Sequence, residues 1–391
     1  MTRDKEIGLY WHIPFCRALC TYCDFAKTAN YDDQLTSAYL ARLGTKTIDM
    51  IELWRRQYGA PPVFTSFFLG GGTPSLFAAA YVPLFERLRS NLAADCEITL
   101  EANPDDLTPA NLAVWRDLGV TRLSVGVQTF DAPGLKLLGR THDGPGAMAA
   151  IERAAGYIPR VSLDLIYGWP GQTAGLWAQD LNAALSLPLG HLSLYTLTYE
   201  PRTPLGRRQV RGVVKASADD FVANLYDAAV DKLGAAGFDQ DEVSNWSKGG
   251  QSSRHNYLYW QDASYIGVGA GAHGYFSDPA GTGWRYSFDR SERVWSRGEA
   301  APLTDEGRDD DAWILEYVGS ALRCDAGVDL TSVMRKTGRR LTPTRIVADA
   351  LSDGQLRLVP GEGGERLLLA KGEWFRETAW SLAVAASLGV E

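Results

Sequence analysis

Cysteine is scarce in this chain: five copies in 391 residues. A small, odd number argues against a disulfide-stapled secreted scaffold. No apolar run approaches the roughly 20 residues that a membrane-spanning helix needs. Basic residues are not in excess, with 39 Lys and Arg against 47 Asp and Glu and a formal charge of −8. Phosphate backbones are bound through basic patches, so nucleic acid is not the expected partner. Histidine occupies only five positions, and repeats and low-complexity tracts are absent. The opening Met1-Thr2-Arg3-Asp4-Lys5-Glu6 holds no apolar targeting segment. The expected location is the cytoplasm, where thiols stay reduced. What is present is ordinary for a globular protein, 45% hydrophobic and 22% charged, and long enough for one large domain and a small one. Twelve Trp and 17 Tyr suit a flat, apolar ligand, although core packing accounts for most of them.

The cysteines are unevenly spread. Cys16, Cys20 and Cys23 share one short loop, while Cys96 and Cys324 lie far off in strand-like or helical contexts. Thiolates so close together suit a single metal centre. A cubane of four irons takes four thiolates from a protein, and this loop supplies three, which leaves one iron open to an exogenous ligand. The alternative is a structural zinc site of the Cys₃His type, with His12 as the fourth ligand. Such sites usually draw on two separated pairs, and no second pair exists here.

Strand-like segments at Ile7–Ile13, Val63–Leu69, Glu97–Glu101, Arg122–Gln128, Val161–Tyr167 and His191–Tyr199 alternate with helical stretches such as Gln34–Trp54, Ala79–Asn91, Pro109–Leu118, Gly146–Ala155 and Leu176–Leu185. This alternation predicts an α/β fold: a parallel sheet with right-handed crossovers, as a partial (β/α)₆ version of the TIM-like barrel. Residues 1–240 form that barrel, and residues 241–300 are expected as a capping segment. Residues 301–391 read as three helices and a hairpin around Gly361-Glu362-Gly363-Gly364, a small winged-helix-like domain. Its acidic residues outnumber its basic ones, so it reads as structural or as a cover for the site.

In such barrels chemistry sits at the C-terminal ends of the strands. The cysteine loop follows the first strand and Gly70-Gly71-Gly72-Thr73-Pro74 the second, while Glu101, Gln128, Asp164 and Tyr199-Glu200 fall at or near later strand ends. Taken singly, Glu101, Gln128 and Arg140 read as solvated or capping residues and the glycines as a tight turn. Asp164, inside an apolar run, needs a partner, since an isolated buried charge is costly. His255, in His255-Asn256-Tyr257-Leu258-Tyr259, stands among aromatic residues; imidazole is a common haem ligand, though by type a core histidine is the commoner role. His273, His142 and His191 are weaker candidates.

The spacing Cys-x3-Cys-x2-Cys resembles that of the radical S-adenosylmethionine (SAM) superfamily. That resemblance implies a 4Fe–4S cluster whose open iron is chelated by SAM, with reductive cleavage to a 5′-deoxyadenosyl radical. Segments from Tyr10 to His273 together resemble the radical SAM haem chaperones, relatives of the oxygen-independent coproporphyrinogen III oxidases. The oxidases carry a fourth cysteine where this chain has Phe25, and a longer arm before the cluster; both features favour the chaperone. The resemblance implies SAM contacts at Tyr10, Gly71, Gly72, Thr73 and Glu101. The oxidases hold a second SAM with residues matching Tyr22, Gln128, Arg140 and Asp164. It further implies haem binding at His255, with haem and acceptor haemoproteins as partners; peripheral membrane contact stays open. Three positions depart from the family pattern: Arg202 for Gly, Asp241 for Tyr and Ala270 for Pro. The expected function is haem uptake and delivery, and the rival is oxidative decarboxylation of coproporphyrinogen III.

Overall fold

The computed structural model describes residues 6–278, 281–299, 301–304, 309–361 and 363–390. Met1–Lys5, on which the expected lack of a leader rests, and Glu362 of the expected hairpin turn lie outside them.

The sheet is built from strands β1 (Ile7–Ile13), β2 (Phe64–Gly71), β3 (Leu92–Ala102), β4 (Arg122–Gln128), β5 (Arg160–Tyr167) and β6 (His191–Thr196), consecutive neighbours and all parallel. Helices Asp33–Tyr58, Val82–Leu88, Pro109–Leu118, Gly144–Ala155 and Ala174–Leu185 make the crossovers. Their starts are written in the sequence: Asp32, Thr108, Asp143 and Thr173 each accept a hydrogen bond from a first-turn amide.

Each strand separates its two faces by period-2 alternation. On β1, Leu9, Trp11 and Ile13 pack under the helices, whereas Gly8, Tyr10 and His12 turn to the other side. On that concave side Tyr10, Phe68, Glu101, Ser124, Asp164 and Ser193, one from each of the six strands, line one cavity. The sheet therefore curls into the expected partial barrel.

Residues 241–300 do not sit on top as a separate cap. After β7 (Asp239–Glu242), β8 (Asn245–Ser247) pairs antiparallel with β6 at one edge. At the other edge β9 (Ser264–Val268) pairs parallel with β1 and leads to β10 (His273–Phe276), β11 (Trp284–Ser287) and β12 (Leu303–Thr304). Phe238, Trp246, Ile266, Phe276 and Trp295 belong to the barrel's own core. The Gly-, Arg- and Asp-rich stretch 278–310 contains β11, β12 and the helix Glu292–Ser296, and its residues 279, 280, 300 and 305–308 lie outside the described set.

A second core gathers Trp313, Tyr317, Val333, Val347, Leu356, Leu367, Trp374 and Val384. Helices Asp310–Ala321, Leu330–Thr337 and Arg345–Ser352 surround β13 (Val328–Asp329), β14 (Leu356–Gly361) and β15 (Gly364–Leu369), with a last helix at Glu377–Ser387. Three helices and a hairpin form the expected winged-helix-like unit. Among the described residues no helix is long and apolar enough to cross a membrane.

Candidate functional site

The cysteine loop leaves β1 and is clipped at its base: the Cys16 amide donates to Thr28 O (2.9 Å) and the Thr28 amide to Pro14 O (2.7 Å). Cys16 is buried, and Cys20 and Cys23 are half-buried. The Arg140 guanidinium donates to Cys20 Sγ (3.2 Å) and also to Asn103 Oδ1 and Gly126 O (2.5 Å each), tying the loop to the ends of β3 and β4. Lys27 Nζ donates to the carbonyls of Cys23 (2.6 Å) and Cys20 (3.3 Å). Two cations thus stand where thiolate charge would collect. All five cysteines are free. Burial pushes the Cys16 thiol up to about 11, opposed by a hydrogen bond with Thr73 and added to by Cys20 and Cys23.

His12 is not placed to complete a zinc set. Its Nδ1 is hydrogen-bonded to Tyr10 Oη (2.9 Å) and its Nε2 to Ala26 O (2.7 Å). Among the described residues no three His, Cys, Asp or Glu side chains converge as one ion requires. A cubane attaches its thiolates to different irons and so asks for wider spacing. The three loop cysteines, with their neighbouring cations, fit that group.

The glycines at the end of β2 are needed for close packing. The Gly72 amide donates to Ile13 O (2.7 Å), and a Cβ there would meet Ile13 O at 2.8 Å and Phe15 O at 2.9 Å. Gly71 has φ 110°, a conformation that side chains rarely adopt. Gly72→Ala should therefore push the Pro14–Phe15 backbone outward, lowering stability by about 1–3 kcal/mol, the range for overpacking. Iron content after anaerobic reconstitution should fall with it; parent-like iron and melting would show that the backbone yields freely.

The inner cavity, about 260 Å³, is polar. Glu101 Oε2 accepts the Gly71 amide (2.9 Å), linking the cavity wall to the glycine loop. Asp164 accepts from Ser124 Oγ (3.1 Å) and keeps a raised pKa through burial, tempered by Ser193 and Arg122. Burial, followed by the Asp164 charge, lifts Glu101 to about 8. A carboxyl raised on folding stabilises the fold fully below the usual carboxylate range and loses that contribution as pH rises through about 8. Glu101→Gln, which still accepts from Gly71, should flatten this dependence: thermal unfolding of the cluster-free protein from pH 5 to 9 should fall less steeply than in the parent. An unchanged slope would assign the dependence elsewhere.

Gln128 ends β4 at a bulge with φ 74°, a strained setting for a non-glycine residue and one that gathers at functional sites. Tyr22 packs beside Leu138, Ile166 and Trp169, and burial raises its pKa. Glu200 is exposed, and Tyr199 packs with Leu205, three or more residues beyond the end of β6. Neither Tyr199 nor Glu200 is among the lining residues of the inner cavity.

His255 sits on the helix Arg254–Trp260 and is 1% exposed. Its Nδ1 is hydrogen-bonded to Ser66 Oγ and its Nε2 to Tyr259 Oη, both at 2.8 Å. Burial, then the Arg122 charge, lowers its pKa to about 3. The expected haem ligand is thus engaged at both nitrogens, and it lines the inner cavity rather than the open one.

A second cavity, about 960 Å³, opens between the cysteine loop and β9–β11. Asp24, Phe25 and Ala26 form its loop side; His273, Phe288 and Arg290 form the opposite side. Tyr10 and Tyr259 line both cavities and so stand between them. Phe25 is 62% exposed, unusual for a large apolar ring.

Two of the three departures have visible partners near this mouth. Arg202 pairs with Asp24 (3.0 Å), next to Phe25. Ala270 supplies an amide, which proline lacks, to Tyr39 Oη (2.8 Å), and Tyr39 donates in turn to His12 O (2.7 Å). Asp241 is buried far from both, accepting from Ser247 Oγ (2.7 Å).

Sequence reasoning missed Arg122, Ser124, Ser193 and Tyr195 on the inner wall and Arg290 at the mouth. The signal was available for β4 and β6: Arg122, Ser124 and Gly126 alternate with Leu123, Val125 and Val127, and His191, Ser193 and Tyr195 with Leu192 and Leu194.

The sequence and the fold are similar to those of known proteins. Residues 10–183 match the model of the radical SAM superfamily. The heme chaperone HemW of Bacillus subtilis is 34% identical over 341 residues, covering 85% of this chain and 87% of that protein. The chain belongs to the HemW family of radical SAM proteins. HemW of Escherichia coli is 35% identical over 302 residues (76% and 78% of the two chains), and that of Mycobacterium tuberculosis strain H37Rv is 39% identical over 277 residues (69% and 70%). Among solved structures, the coproporphyrinogen III oxidase HemN of Escherichia coli superposes with a TM-score of 0.77 over 98% of this chain and 91% of its own, at 21% identity. At that identity the likeness establishes the fold, C-terminal unit included. Membership in the superfamily implies a 4Fe–4S cluster and SAM.

Proposed function

We propose that the chain is a haem carrier, taking up haem and delivering it to acceptor haemoproteins, with a SAM-bound 4Fe–4S cluster held by Cys16, Cys20 and Cys23. The observation that carries this reading is the open cavity beside the cysteine loop. Its volume of about 960 Å³ lies at the upper end of the roughly 300–1,000 Å³ typical of ligand sites, and its walls combine the rings of Tyr10, Phe25, Tyr259, Tyr265 and Phe288 with charged and polar groups. Phe25, where the oxidases have a cysteine, stands exposed at that mouth. The relatives named HemW point the same way.

In this reading Gly71, Gly72, Thr73, Glu101 and Tyr10 border the cluster and receive SAM, while Arg140 and Lys27 offset the thiolate charge. When bound, the cluster offers one open iron to the amino and carboxylate groups of SAM and supplies an electron. Tyr22, Gln128 and Asp164 are the residues a second SAM would meet. The free thiols suit the cytoplasm. Domain limits follow the two cores: barrel with both sheet extensions up to about residue 300, and the winged-helix-like unit thereafter.

The test is anaerobic reconstitution followed by haem titration and a coproporphyrinogen III turnover assay on the same sample. The reading expects stoichiometric haem binding and no decarboxylated product. Product at turnover rates would establish the oxidase instead.

A further inference from the structure

We infer that the basic segment after β6, from Arg202 to Lys215, is the docking surface for an acidic one-electron carrier that reduces the cluster held by the cysteine loop. The inference rests on the reading above, in which the bound cluster supplies an electron. Each such electron has to be replaced from outside the chain. The chain as a whole is acidic, with a formal charge of −8. Residues 201–215 nevertheless hold five basic side chains, Arg202, Arg207, Arg208, Arg211 and Lys215, and no carboxylate.

All five are exposed. Arg202 pairs with Asp24, and Arg207 donates to the Arg202 carbonyl. Among the described residues no carboxylate of the chain pairs with Arg207, Arg208, Arg211 or Lys215. Arg207 and Arg211 are one helical turn apart with Arg208 beside them, and like charges at that spacing repel. The fold gains nothing from this crowding, whereas an anionic partner is steered by it. Val210 and Val213, 73% and 67% exposed, add an apolar centre amid the charges. An apolar centre with a charged rim is how protein interfaces are built. Electron-transfer encounters are small and weak, so a compact patch suffices for one.

The patch is fastened to the cysteine loop. Its helix, Pro204–Val210, opens with the Leu205 amide donating to Thr21 O (2.8 Å). Leu205 and Val214 pack in one small core with Leu138, and Tyr22 packs against it. Thr21 and Tyr22, the two residues between Cys20 and Cys23, therefore both meet the base of the basic segment. Arg202 reaches Asp24, the neighbour of Cys23, at 3.0 Å. A partner seated here comes close to the thiolates and leaves the open cavity free for haem, because none of the five basic residues lines either cavity. The step balances simply: the carrier is oxidised by one electron and the bound cluster reduced by one, with no bond or proton moved.

The experiment mixes the full-length, anaerobically reconstituted protein with reduced plant-type ferredoxin as the acidic carrier, and in parallel with dithionite as a small reductant. Stopped-flow absorbance and the electron paramagnetic resonance signal of the reduced cluster follow the transfer. The parent's second-order rate with ferredoxin should fall as salt rises. Arg208→Glu combined with Arg211→Glu should slow that rate by at least about 10-fold at low salt, the lower end of electrostatic steering, and remove its salt dependence. Iron content, haem binding and reduction by dithionite should stay at parent values, and Arg208→Lys with Arg211→Lys should keep the parent's rate. A parent-like rate in the charge-reversed variant, or a parent that accepts electrons from dithionite but not from ferredoxin, would overturn the inference and leave the haem-carrier reading standing. Lost binding to phosphatidylserine vesicles in that variant, with ferredoxin reduction unchanged, would assign the patch to a lipid surface and overturn it as well. A parent whose cluster neither donor reduces would overturn both the inference and the electron-supplying role on which it rests.

Discussion

Cys16→Ala, Cys20→Ala and Cys23→Ala should each strip the protein of its iron–sulfur cluster. A cubane with three protein thiolates already lacks one, and two thiolates hold it poorly. The loop has no substitute to offer. His12 is committed to Tyr10 and Ala26. Cys96 is buried on β3 with its sulfur near Glu97 O (3.8 Å), and Cys324 is buried with its sulfur against Ala321 O (3.4 Å) and Gln261 Nε2 (3.2 Å). Because metal binding and local order are coupled, the loop from Cys16 to Thr28 should also become protease-sensitive in the three variants. Iron and sulfide analysis after anaerobic reconstitution checks this, with Cys96→Ala and Cys324→Ala expected to hold the parent's content. Iron loss in either of those two folded variants would mean a different ligand set.

Lys336→Met should weaken the C-terminal unit by about 3–5 kcal/mol, the range for removing one partner of a buried ion pair. Lys336 Nζ lies 2.6 Å from Asp262 Oδ2, with side chains 3% and 12% exposed. Asp262 also accepts from Tyr275 Oη (2.6 Å) on β10 and from Trp313 Nε1 (3.1 Å) in the second core. The carboxylate therefore joins the barrel sheet to the winged-helix-like unit. Without the ammonium it keeps three neutral donors, Tyr275, Trp313 and Ser277, and no counter-charge. Lys336 also lies over the Trp313 ring at 5.3 Å, which methionine would only partly replace. Denaturant unfolding followed by tryptophan fluorescence gives the loss, and adding Asp262→Asn should recover much of it. A loss below about 1 kcal/mol would class the pair with exposed ones.

The barrel was legible because its strands are long and its helices carry their own caps. β1 and β4 fall at the expected bounds, Ile7–Ile13 and Arg122–Gln128. The region after residue 240 was not. β9 to β12 are two to five residues long, and β9 and β10 each hold a glycine, so their pairing is fixed by the neighbouring strand rather than by local pattern. The cysteine loop stood out by spacing alone, whereas the burial of His255 did not, because residue type does not reveal it. One clue lay elsewhere in the chain: a Cβ on Gly8 would meet Leu258 at 2.6 Å and His255 at 3.0 Å, so this glycine on β1 leaves the room that the histidine's helix fills. Arg290 could not have been found from pattern, since it reaches the mouth through a hydrogen bond to Asp24 O from a segment distant in sequence.

Haem transfer is the most direct measure of the central claim. Reconstituted protein loaded with one equivalent of ferric haem is mixed with an apo-haemoprotein, and the Soret bands of donor and acceptor are followed. The account predicts that haem leaves the loaded protein and appears in the acceptor with the acceptor's spectrum, faster than free haem dissociation from the carrier alone. Haem that stays on the chain in the presence of acceptor, or transfer no faster than spontaneous release, would contradict it.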